Sequence, residues 1–138
     1  MPARRGAWGR IMRLALGLAP FGILLLPVPV HAADAARGAI VARVRCSACH
    51  FLNRPERKIG PGLLGIFDRA PSISGVPFKH WDAQALDAWL SGPRSIKLNT
   101  TMTLPPLPAR DRADVIAYFR QQSQRLMAGG SAASPGAP

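Results

Sequence analysis

The chain has 138 residues, 18 Lys and Arg against 7 Asp and Glu for a formal net charge of +11, and 48% hydrophobic residues. That length allows one domain at most. Glycine and proline supply 27 residues, just under a fifth and short of the roughly 25–30% of low-complexity chains, which predicts a small, loop-rich fold; two cysteines only two residues apart exclude a disulfide-stapled secreted scaffold.

At the start of the chain, Arg4, Arg5, Arg10 and Arg13 form a positive run ahead of an apolar stretch, Leu14 to Val30, broken by Pro20, Pro27 and Pro29. Val30-His31-Ala32 then offers small residues for cleavage, so residues 1–32 read as an export signal removed near Ala32. Seventeen residues with three prolines fall short of the ~20 that a spanning helix needs, and no later segment is apolar enough to cross a bilayer. Loss of the four arginines lowers the net charge from +11 to +7. A periplasmic location follows, with no stable membrane anchor after cleavage.

Three stretches then show helical periodicity. Ala35 to Arg45 sets Ile40, Val41 and Val44 on one side, and Trp81 to Leu90 repeats Leu86, Trp89 and Leu90 before Gly92-Pro93. A third helix is predicted from about Ala109 to Arg125, with Val115, Ile116 and Phe119 in its apolar stripe and arginines in its last turn. Gly/Pro-rich connections without strand alternation lie between them. The fold class is therefore all-α: residues 33–126 form the working domain, and residues 127–138, rich in Gly, Ala, Ser and Pro, form a flexible tail. Three short helices bury little apolar surface, so the domain needs a further source of stability.

Cys46-Ser-Ala-Cys49-His50 points to that source. Cysteines at i and i+3 share one side of a helical turn, and a histidine directly after can turn its imidazole toward whatever both sulfurs hold. The spacing reads as covalent attachment of one haem c, with His50 as an iron ligand. A thioredoxin-like pair needs a βαβ context that this chain lacks, and a zinc site needs a second Cys/His pair where only His80 follows. Three residues remain as candidates for the second iron ligand: His80, Met102 and Met127. His80 sits at a helix entry and Met127 at the start of the tail. Met102 lies in the proline-stiffened stretch Asn99 to Pro108, where an extended loop can hold a thioether at a metal.

These features, in this order, resemble the class I cytochromes c, over about residues 37–120. The resemblance rests on Gly38, Cys46-Ser-Ala-Cys49-His50, Lys58-Ile-Gly-Pro61-Gly-Leu63-Leu-Gly65-Ile-Phe67-Asp-Arg69, Trp81, the helix with Leu86, Trp89 and Leu90, Gly92-Pro93, Thr100-Thr-Met102 and Asp111 to Tyr118. It implies a small cytochrome c fold of three main helices and loops wrapped around the haem. It also implies thioethers from Cys46 and Cys49, axial ligation by His50 and Met102, and a Pro61 carbonyl that accepts the imidazole N–H. Arg69 and Trp81 resemble the residues that bond the haem propionates, and Trp89 stands where the family usually has a tyrosine near the methionine sulfur. Three departures are visible. Ala42 replaces an aromatic of the first helix, which predicts a looser crossing with the last helix. The connection from Arg69 to Trp81 is short, which predicts greater solvent access at the propionate edge, and Leu104 and Pro105-Pro106 replace an aromatic and a glycine after the ligand loop.

Arg43, Arg45, Arg54, Arg57 and Lys58 cluster in sequence around the attachment region, and Lys79, Arg94 and Lys97 follow in the distal half. A basic rim suits brief docking to redox proteins with acidic surfaces. No nucleic-acid motif is present. The expected function is one-electron transfer in a respiratory chain by a non-enzymatic, single-haem carrier, monomeric or held as a dedicated subunit of a dehydrogenase or oxidase. A peroxidase or gas-binding protein would instead need an open sixth iron position.

Overall fold

A computed structural model describes residues 32–132, with side chains as far as residue 129. Of the predicted export signal all but Ala32 lies outside the described residues, as do residues 133–138 of the predicted tail. The order of elements is α1 (Ala35–Cys46), α2 (Ala83–Ser91), α3 (Pro93–Ile96) and α4 (Ala109–Ala132). No strand occurs among the described residues, in agreement with an all-α fold.

Helix α1 starts where Asp34 caps it: the carboxylate accepts from the amides of Ala36 at 2.9 Å and Arg37 at 3.1 Å, satisfying two of the donors that a helix start leaves without partners. Of the stripe that periodicity selects, only Val41 packs, partly buried, against the core. Ile40 and Val44 are 60% and 73% exposed, while Gly38, Ala42 and Cys46 are buried. The reason lies in the crossing with α4, the closest helix pair of the fold. A Cβ on Gly38 would stand 1.9 Å from the carbonyl oxygen of Asp114, so the two backbones touch there, and one turn later Ala42 is fully buried. Residues as large as Ile40 or Val44 could not enter such a contact. Ala42 therefore does not loosen the crossing; close backbone approach replaces the aromatic packing.

Ion pairs lock the same junction. The Arg37 guanidinium bridges Asp111 and Asp114 of α4, and the amide of Asp34 donates to Asp114 Oδ1 at 2.8 Å. Burial alone would raise the pKa of Asp114, but the Asp34 amide and the Arg37 charge together hold its carboxyl below the ordinary carboxylate range.

Helix α2 begins at Asp82, whose carboxylate accepts from the Ala85 amide at 2.8 Å. Its buried face is Ala85, Leu86, Trp89 and Leu90, the stripe expected from sequence. Gly92 ends it, and Pro93 at once opens the one-turn α3, since its missing N–H costs nothing at a first helical position. Helix α4 buries Val115, Ile116 and Phe119 and continues past Arg125 to Ala132, so its last turn holds no basic residue. Arg112 fastens α4 to α2 by a 2.8 Å bond from Nε to Asp87 Oδ1, and it holds the preceding loop by a 2.8 Å bond to the Leu107 carbonyl.

Candidate functional site

The first half of the site grows from the end of α1. The amides of Cys49 and His50 both return to the Cys46 carbonyl, at 3.1 and 2.9 Å, so the chain completes one more turn and sets the two cysteines a turn apart. Cys46 is buried and Cys49 exposed. Burial pushes the Cys46 thiol up to about 11, which keeps its sulfur protonated at neutral pH.

His50, at the edge of burial with 9% exposure, is fixed by its ring. Nδ1 lies 2.7 Å from the Pro61 carbonyl oxygen. A carbonyl only accepts, so Nδ1 donates, and in the neutral ring the lone pair is then on Nε2. Two backbone bonds flank this contact, Gly60 N–H to Cys49 C=O at 2.8 Å and Leu63 N–H to Phe51 C=O at 2.8 Å. Lys58 adds a 2.8 Å bond from Nζ to the Ser47 carbonyl. Gly60, to which sequence reasoning assigned no role, packs against the imidazole so closely that a Cβ there would fall 2.2 Å from Cε1.

The second half of the candidate site is Met102, half-buried in the segment without regular structure between α3 and α4. Its sulfur accepts a hydrogen bond from the Trp89 indole N–H at 3.2 Å, and its amide donates to Thr100 Oγ1 at 3.2 Å. Trp89 is itself buried and meets Trp81 edge-on, with ring centroids 5.4 Å apart. Leu107 N–H to Leu90 C=O at 3.2 Å ties the far end of this loop to α2. Of the other two candidates for a ligand, His80 is exposed with Nδ1 3.1 Å from the Asp68 carbonyl, and Met127 is 64% exposed.

Arg69 and Trp81 meet through their backbones: Trp81 N–H donates to Arg69 C=O at 2.9 Å, and Asp68 N–H donates to Trp81 C=O at 3.1 Å. These bonds close the base of the short connection between them. The Arg69 guanidinium donates to Gly62 C=O at 2.8 Å and to Leu64 C=O at 3.2 Å, and burial lowers its pKa. The resemblance directs this side chain at propionates; the role that the structure shows is a second one, a clamp on the loop that carries Pro61. The signal for that second role, an arginine a few residues after a Gly/Pro-rich turn, is too common to be read from sequence.

The donor set is soft and mostly neutral: an imidazole with Nε2 available, a thioether and two thiols. Leu52, Leu63 and Leu104, which neighbour His50, Pro61 and Met102 along the chain, are large apolar residues only partly buried against the core. Such a set fits an iron porphyrin, a broad apolar group that would take two neutral donors at the metal and two thiols at its edge, and does not fit a hard cation that needs oxygen ligands.

No family model matches the chain. Individual proteins do. It is 33% identical to cytochrome c2 of Pararhodospirillum photometricum over 109 residues, covering 64% of this chain and 96% of that protein. It is 31% identical to cytochrome c of Cochliobolus lunatus over 102 residues, 66% of this chain and 94% of the relative, and 28% identical to cytochrome c of Theileria parva over 108 residues, 71% and 94% respectively. Matches that span nearly the whole of each relative, on a helical fold with the attachment turn at the end of its first helix, place this chain in the class I cytochrome c family.

Proposed function

We propose that the chain is a periplasmic single-haem electron carrier in which Cys46 and Cys49 hold haem c, and His50 and Met102 are the axial ligands. The bound haem supplies a one-electron Fe(III)/Fe(II) couple. The observation that carries this reading is the bond between His50, at the end of the attachment turn, and Pro61 on the loop that follows, 2.7 Å long, which leaves Nε2 for the metal and holds the ring by backbone rather than by a mobile side chain. That bond also makes the imidazole a stronger donor. Met102 contributes a neutral sulfur that favours the reduced metal, and Trp89 keeps the sulfur in place. With His50 and Met102 both on the metal, no position would be left open to a substrate, and the protein would act as a carrier rather than an enzyme.

The export signal, residues 1–32, supports delivery to the periplasm, followed by the haem domain; α4 runs on to Ala132, so of the expected tail only residues 133–138 remain beyond the helix. No described helix is long and apolar enough to cross a membrane. Arg43, Arg45, Arg54, Arg57 and Lys58 are exposed on and after α1, as are Lys79 and Arg94 further on. This distribution favours brief, salt-sensitive docking to acidic redox proteins, including members of a respiratory chain.

Carbon monoxide tests the closed coordination. The reduced protein is expected not to bind the gas at neutral pH, whereas reduced Met102→Ala is expected to bind it. Binding by the unmodified protein would overturn the carrier reading, and exclusion by the variant would overturn Met102 as the ligand.

A further inference from the structure

One polar side chain outside the ligand set reaches both ends of the loop that carries Pro61. Gln122 stands half-buried on α4. Its Nε2 donates to Leu52 C=O at 2.8 Å, and its Oε1 accepts from Gly65 N–H at 3.2 Å. The same Nε2 lies 3.2 Å from the Tyr118 hydroxyl, one turn earlier on α4. Leu52 follows His50 by two residues and Gly65 follows Pro61 by four, so a single carboxamide grips the loop on the far side of the His50–Pro61 contact at both of its ends. Gly65 has φ +65°, a left-handed conformation in which its amide is turned out of the run of the chain and available to a partner.

Arg69 holds the same stretch from within the loop by its bonds to Gly62 and Leu64. The segment that presents the Pro61 carbonyl is therefore tied both to its own continuation and to α4. Only the second tie crosses to a helix, and Gln122 is the side chain that makes it. A carboxamide suits this place because the loop offers one acceptor and one donor; neither a carboxylate nor an ammonium could satisfy both.

We infer that Gln122 is a positioning residue for the metal-binding imidazole: by fixing Leu52 and Gly65 to α4 it holds the Pro61 carbonyl on His50 Nδ1, and so sets how strong a donor Nε2 is. The inference rests on His50 as an axial ligand. Loosening the carbonyl removes electron density from the imidazole and favours the reduced metal, so loss of the grip raises the reduction potential.

The test compares the haem-loaded parent with Gln122→Met, which retains length and packing but neither hydrogen bond. In the parent, the Gln122 carboxamide and Gly65 amide protons are expected to exchange slowly with solvent. In Gln122→Met, the Gly65 amide should exchange about tenfold faster, the Leu63 amide should also accelerate, and the reduction potential should rise. Faster exchange at an unchanged or lower potential would overturn the inference, because a residue that only stabilises the loop would give that result. Unchanged exchange in the variant, or fast exchange of the parent carboxamide, would overturn it as well. Failure of the underlying ligand reading shows separately, as a low-spin spectrum that survives in His50→Ala.

Discussion

The two loops that carry the proposed ligands are built on opposite plans. Around His50 the chain folds back on itself, and four backbone hydrogen bonds surround the imidazole: two from the attachment turn to Cys46, one from Gly60 to Cys49 and one from Leu63 to Phe51. Around Met102 the chain has no regular structure, and among the described residues the sulfur has one polar contact, a 3.2 Å bond from the Trp89 indole. Backbone bonds cannot rotate away, whereas an N–H to sulfur contact is weak and rests on how two side chains pack. The proximal half is therefore preorganised by the chain, and the distal half by α2. In a carrier of this design, the methionine side is where ligation should yield first.

Replacing His50 should have the largest effect of all. His50→Ala removes the donor that the attachment turn presents, and loss of the low-spin spectrum is expected in both oxidation states; its retention would break the proposed ligand assignment. Gly60→Ala attacks the same half through shape alone. An added methyl would lie 2.2 Å from the ring, so the imidazole or the loop must move, and a stability loss of about 2 kcal/mol is expected in chemical denaturation. A variant as stable as the parent, with an unchanged spectrum, would show that the ring is less confined than the geometry implies.

Trp89→Phe probes the distal half and should cost less. It keeps an aromatic against Trp81 but removes the only hydrogen bond to the sulfur, worth about 1 kcal/mol. Added imidazole should then displace the methionine at about fivefold lower concentration, with stability little changed. Equal displacement in parent and variant would mean that packing alone holds Met102.

Asp114 lies outside both halves and separates fold from site. Its folded-state pKa lies below the unfolded value, so the stabilisation it gives is complete above the ordinary carboxylate range, near pH ~4, and is lost as pH falls through the folded value. Asp114→Asn should therefore be less stable than the parent at neutral pH, and the difference should shrink on acidification while the reduction potential stays put. A gap that persists in acid would indicate that the contribution of Asp114 is packing rather than charge.

Much of this could be read from sequence because the informative residues are close together along the chain. The Cys-x-x-Cys-His turn needs only helical geometry, and the α2 stripe, Leu86, Trp89 and Leu90, follows from period alone. What sequence could not supply depends on contact between distant segments. Periodicity favoured Ile40 and Val44 because it weighs hydrophobicity, but the crossing of α1 with α4 selects for size, and Gly38 and Ala42 win. Gly60 and Gln122 are ordinary residues until the fold sets one against an imidazole and the other across a loop. The extension of α4 beyond Arg125 was hidden by its composition, since a run of small Ala, Gly and Ser residues after Met127 reads as tail.

Cofactor attachment decides the central claim most directly. The exported protein, denatured, reduced and treated with a thiol alkylating reagent, should show by intact mass the chain that starts after Ala32 carrying one haem, with neither Cys46 nor Cys49 alkylated. Two alkylated cysteines on a chain without added mass would contradict the account.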